Sequence, residues 1–134
     1  MDYYETMIPK DILISLSFII TGIIHALPVY GAIGNQALEK LYGLPIQDPN
    51  LLILLRHRAI LFGIVSCVCF LAAFEPNYRN LGFLIGYISV LSFLWMVWQS
   101  NGTNEKIQRV FAMDIVALLS LVVGNVFAVI PFKG

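Results

Sequence analysis

Asp48-Pro-Asn-Leu-Leu-Ile-Leu-Leu-Arg56-His57-Arg58-Ala-Ile-Leu-Phe-Gly-Ile-Val-Ser-Cys-Val-Cys-Phe-Leu-Ala-Ala-Phe74 is an apolar run interrupted by one basic triplet. Asp48 followed by Pro49 offers a helix N-cap and a proline at the first helical position, so the run opens as a helix. Its length exceeds the roughly 20 residues needed to cross the hydrocarbon core of a bilayer. Apart from the triplet it has no polar face to turn towards water, and it reads as a membrane span over residues 49–74.

Three further segments read the same way, at about 11–29, 81–98 and 109–130. The chain is 59% hydrophobic and 12% charged, with a mean hydropathy of +0.83. A soluble surface needs roughly 25–35% charged residues. The expected fold is therefore all-α, a polytopic bundle of four transmembrane helices forming a single membrane domain over 1–134. Segment one, with Asp2 and Glu5 against Lys10 in its leader and no small-x-small cleavage site after it, should stay as a signal anchor. Asp11, following Pro9, is placed to cap it.

Between the first two spans, Asn35-Gln-Ala-Leu-Glu-Lys-Leu-Tyr42 sets Leu38, Leu41 and Tyr42 on one stripe, with Glu39 and Lys40 off it. This predicts a short interfacial amphipathic helix, ended by Gly43. Trp95 and Trp98 mark an interfacial belt at the end of segment three.

Net formal charge is zero, with neither basic stripe nor acidic tail, so nucleic acid is not an expected partner. Cys67 and Cys69 are too close for a disulfide and lack the spacing of a metal or redox pair. The two histidines and one embedded Asp match no metal-ligand spacing, so neither metal nor cofactor is expected.

Four crossings divide the polar groups between two sides of the membrane. Side A carries the termini and the turn at 75–80, and side B carries the connections 30–50 and 99–108. His25, Arg56, His57, Arg58 and Asp114 all fall roughly 7–14 Å inward from side B. Embedded charges cost about 2.5–3.5 kcal/mol each on insertion scales, so they are expected to face protein and to be partnered. Asp114 is the expected partner of Arg56 or Arg58. Those arginines project about 200° apart on a helix, so one of them must snorkel, neutralise Glu39 or Asp48, or face a neighbouring subunit. His57 is a candidate bridge between them.

Gly82, Gly86, Ser89 and Ser92, with Ala117, Gly124 and Ala128, give small-residue faces for close packing. Asn125 shares the Asp114 face about three turns on. Lys10, Arg79 and Lys133 on side A balance Lys40, Lys106 and Arg109 on side B, so charge does not orient the chain. A short leader before an uncleaved first span leads to the expectation of cytoplasmic termini.

His25-Ala-Leu-Pro-Val-Tyr-Gly-Ala-Ile-Gly34, Leu41-Tyr-Gly-Leu44 and Asp48 to Gly63, with Arg56-His57-Arg58 as the most specific part, resemble a family of small bacterial inner-membrane proteins. The family is common in Acinetobacter and its relatives and is often labelled phosphopantetheine adenylyltransferase. The resemblance covers nearly the whole chain, including Asp114. It implies a four-helix subunit that forms a homotrimer in the bacterial inner membrane and contributes to envelope integrity or lipid homeostasis. The enzymatic label does not suit the residues, because neither histidine belongs to a His-x-Gly-His motif and there is no glycine-rich phosphate loop.

The sequence thus points to a non-enzymatic, oligomeric membrane protein. Arg56, His57, Arg58, Asp114 and His25 form its candidate polar cluster, with Glu39, Asp48 and Asn125 secondary, holding the assembly together or binding a lipid headgroup or small anion. The alternative is a proton or small-anion pathway through the same cluster.

Overall fold

The structure, a computed structural model, describes residues 2–131, with side chains described from Pro9 onward. Lys133 and the side chains of Asp2 and Glu5 therefore lie outside the described residues. The chain folds into α1 (Asp2–Ala26), α2 (Asn35–Tyr42), α3 (Pro49–Phe74), α4 (Arg79–Gln99) and α5 (Glu105–Val129). The four long helices are each long and apolar enough to cross a membrane. They form an all-α bundle with the short α2 between the first two spans.

Local chemistry sets most of the boundaries. Pro28 lacks the amide that a continuing α-helix needs, and beyond Ala26 the chain tightens into a 3-10 stretch over Leu27–Ile33. At the end of α2, Gly43 takes a left-handed φ of 67° and its amide donates to the Glu39 carbonyl, an arrangement glycine adopts without steric cost. Asp48 caps α3 by accepting from the Asn50 and Leu51 amides.

Two boundaries differ from the sequence expectation. Helix α1 already begins at Asp2 and runs through Pro9, so Asp11 is not its cap. Asp11 instead accepts from Arg79 Nη1 at 2.7 Å, tying α1 to the start of α4. The last helix starts at Glu105 rather than near 109, because Asn104 caps it by accepting from the Ile107 amide.

Helix α1 packs against α3 and α5, and α4 closes the other side against the same pair. Lipid offers no hydrophobic drive for this association, so it depends on close van der Waals fit and interhelical hydrogen bonds. Phe18 is fully buried near the centre, its ring 4.6 Å from that of Phe83. Gly82 makes room for it: a Cβ there would stand 2.7 Å from the Phe18 ring and 2.6 Å from Ala72 Cβ. Gly86 presents its bare backbone to Leu121 in the same way. On α5, a Cβ on Gly124 would collide with Ser17 Oγ. Ala117 is also buried, whereas Ala128 and Ser92 face outward.

Hydroxyls add cross-links at two levels. Ser15 Oγ donates to the Ala73 carbonyl, and Ser66 Oγ to that of Gly22, each at 2.7 Å. The outer surface carries exposed apolar side chains on every span, among them Ile20, Ile64, Ile88 and Val123. That is the surface expected of a bundle solvated by lipid.

Candidate functional site

Helix geometry sends the members of the basic triplet in different directions. Arg56 is exposed on α3, and its Nε donates at 2.9 Å to the Ala32 carbonyl in the 3-10 stretch. His57 is exposed as well, and among the described residues nothing hydrogen-bonds it. Arg58 turns inward. Its guanidinium carbon stands 4.9 Å from the ring centre of Phe62, 5.4 Å from Tyr42 and 5.5 Å from Phe93. Three aromatic faces from α2, α3 and α4 thus surround one cation, and such contacts are strongest where water is excluded.

Asp114 is buried on α5. The expected ion pair with Arg56 or Arg58 is not formed: among the described residues no hydrogen bond or ion pair reaches its carboxylate. Arg56 is held on the outer face by a backbone carbonyl, and Arg58 by its aromatic cage. Arg58 nevertheless is the cation whose charge bears on both Asp114 and Tyr42. Burial pushes the Tyr42 phenol above its usual range, with Arg58 opposing the shift.

His25, fully enclosed, is saturated by hydrogen bonds. Its Nδ1 lies 2.9 Å from the Thr21 carbonyl and its Nε2 2.9 Å from Ser89 Oγ. A carbonyl only accepts, so Nδ1 carries the proton and Nε2 accepts from the Ser89 hydroxyl. A neutral imidazole thereby joins α1 to α4. Below it on α1, Thr21 Oγ1 donates to the Ser17 carbonyl and Ser17 Oγ to that of Ile14. These hydroxyls are spent on their own helix, a common use of serine and threonine within helices.

The secondary residues separate from the cluster. Glu39 Oε1 accepts from the Ile46 amide, holding the loop after α2, and Asp48 is occupied as the α3 cap. Neither pairs with an arginine of the triplet. Asn125 lies in the side A half, with its Nδ2 3.4 Å from the Tyr87 hydroxyl.

What brings part of the cluster together is a cavity of about 240 Å³ between α1, α2 and α5. His25 and Asp114 contribute to its wall, as does Phe62, which also lines a groove of about 160 Å³ containing Arg58. Phe62 is therefore shared by the Arg58 groove and the Asp114 cavity. Lys40, Lys106 and Arg109 also line the cavity, and sequence reading did not assign them to the site. Their signal was present on α5, where Lys106, Arg109, Val110, Met113 and Asp114 fall at helical spacings along one face. Placing the helix start at 109 hid it, because Lys106 then belonged to a loop. Among the described residues, no group of three or more His, Cys, Asp or Glu side chains is arranged to hold a metal ion.

Comparison with known protein families, curated proteins and solved structures finds no match to this chain.

Proposed function

We propose that this chain is a non-enzymatic, multi-pass protein of the bacterial inner membrane that assembles with copies of itself as a trimer. In this reading it serves envelope integrity or lipid homeostasis by holding lipid rather than by converting a substrate, and its termini are cytoplasmic. The observation that carries the assembly is the outward placement of Arg56 and His57 on α3. Arg56 lies seven residues into the span, about 10 Å from its start. Only its Nε is satisfied within the described residues, so its remaining donors are available to a neighbouring subunit or an anionic headgroup. The internal use of Gly82, Gly86 and Gly124 agrees with an interface built elsewhere, on the polar edge of α3. The resemblance carried by Arg56-His57-Arg58 supports the trimeric state.

Native mass measurement of the detergent-solubilised protein tests this. Arg56→Ala and His57→Ala should shift the population from trimer towards monomer, while Arg58→Ala should act on subunit stability instead. A trimer unchanged by both outward substitutions would remove the proposed interface.

The second reading, a pathway for protons or small anions, is favoured by Asp114, a buried carboxylate with no ion pair among the described residues beside a cavity near side B. Reconstituted vesicles separate the two readings. A flux abolished by Asp114→Asn would promote transport, and no flux above protein-free vesicles would dismiss it.

A further inference from the structure

The cavity between α1, α2 and α5 has a graded wall. Lys106 and Arg109 lie within the first two turns of α5, with Lys40 of α2 contributing a third cation. About two turns past Lys106 on α5 the wall becomes apolar at Met113, and Leu27, just past the end of α1, adds a second apolar side chain. Leu27 and Met113 are substantially exposed, at 54% and 40%, so apolar residues that line the cavity also reach the lipid-facing surface of the bundle. Asp114 is the one acidic residue lining it and lies eight residues below Lys106, about 12 Å deeper.

We infer that this cavity binds an anionic phospholipid, with its phosphate among Lys40, Lys106 and Arg109 and its acyl chains leaving past Leu27 and Met113 into the bilayer. Three cations against one deeper carboxylate favour an anion at the membrane surface, and charge-assisted contacts to phosphate are the stronger class of hydrogen bond. The volume argues against a wholly enclosed ligand. About 240 Å³ falls below the roughly 300–1,000 Å³ of pockets that engulf a drug-sized molecule. It suits a headgroup and glycerol portion whose tails remain outside. An apolar border that reaches the lipid-facing surface is what such a ligand requires and what a water-borne anion does not.

This site rests on the lipid-holding reading above, but on none of the residues assigned to assembly. It is tested by native mass spectrometry and lipid titration of the whole chain. The probes are phosphatidylglycerol, phosphatidylcholine with the same acyl chains, and inorganic phosphate. Phosphatidylglycerol should be retained where phosphatidylcholine is stripped. The variant Lys40→Gln/Lys106→Gln/Arg109→Gln should weaken that retention roughly tenfold or more. Met113→Trp keeps every charge but crowds the apolar border, so it should weaken retention too, and it decides the case if the triple variant does not fold. Equal retention of the two lipids, or unchanged retention in folded variants, would overturn the proposal. Displacement of the lipid by comparable concentrations of inorganic phosphate would also overturn it and leave a free-anion site. Protomers that retain phosphatidylglycerol after Arg56→Ala has dissolved the assembly would support it independently.

Discussion

Arg58 stands over Phe62, its guanidinium carbon 4.9 Å from the ring centre, and that ring also lines the cavity containing Asp114. Among the described residues no hydrogen bond or ion pair joins the two side chains. Removing either one leaves the other in a site arranged around its presence, so each single change should cost more than the pair. Arg58→Met and Asp114→Asn should each lower the thermal midpoint, and the double variant should recover part of the loss. A coupling of about 0.5–3 kcal/mol is the range seen for interacting neighbours. Purely additive losses in a detergent unfolding cycle would show that the charges are independent.

Among the described residues the imidazole of His25 is the only polar side-chain link between α1 and α4 at that depth, through Thr21 on one side and Ser89 on the other. Ser89→Ala should remove one neutral hydrogen bond and destabilise by about 1 kcal/mol. His25→Ala should cost more, about 2–4 kcal/mol, because it opens a void and leaves the Ser89 hydroxyl without its acceptor. Thermal unfolding of the two variants in the same detergent gives the order, and a milder His25→Ala would contradict the packing role.

Gly124 and Gly63 provide a matched pair. A methyl at 124 collides with Ser17 Oγ, whereas at 63 its nearest neighbour is Val29 Cγ2 at an ordinary 3.4 Å. Gly124→Ala should destabilise by about 1–3 kcal/mol through overpacking, with Ser17→Ala restoring much of it. Gly63→Ala should be neutral or mildly stabilising, since alanine is the better helix former by about 1 kcal/mol. Midpoints for these variants check the close approach of α1 and α5.

Asn104 performs two tasks. Its Oδ1 caps α5 through the Ile107 amide, and its Nδ2 donates at 2.7 Å to the Tyr42 carbonyl at the end of α2. Asn104→Ala should cost about 1–2 kcal/mol as a lost cap, and hydrogen exchange should quicken in both the first turn of α5 and the last turn of α2. Asn104→Asp keeps the cap but not the donor, so it should loosen α2 alone. Faster exchange at α5 only in the alanine variant would show that the tie to α2 carries no weight.

Hydropathy made the four long helices legible, because apolar runs of that length admit few alternatives. The α2 helix was readable from its amphipathic stripe and Gly43, and the α3 cap from Asp48-Pro49. The start of α1 was not, since Pro9 suggests a boundary that the helix runs through, and Asp11 has the composition of a cap while its actual partner is 68 residues away at Arg79. The candidate site was legible in depth but not in direction. Residue spacing places His25, Arg56, Arg58 and Asp114 at one level. It also shows that the two arginines diverge. Which one turns inward depends on where Tyr42, Phe62 and Phe93 converge, and that is a tertiary fact. The cations around the cavity were missed because Lys40 and Lys106 come from segments that meet only once α2 has folded over α5.

The tie from Asn104 to Tyr42 has a consequence for how the protein is made. The acceptor belongs to the second helix of the chain and the donor to the residue that introduces the last. During synthesis the α2 carbonyl lacks this donor until Asn104 and the fourth span follow. The tie therefore closes only after the three earlier spans have been made, and a chain interrupted before Asn104 would leave the end of α2 without it.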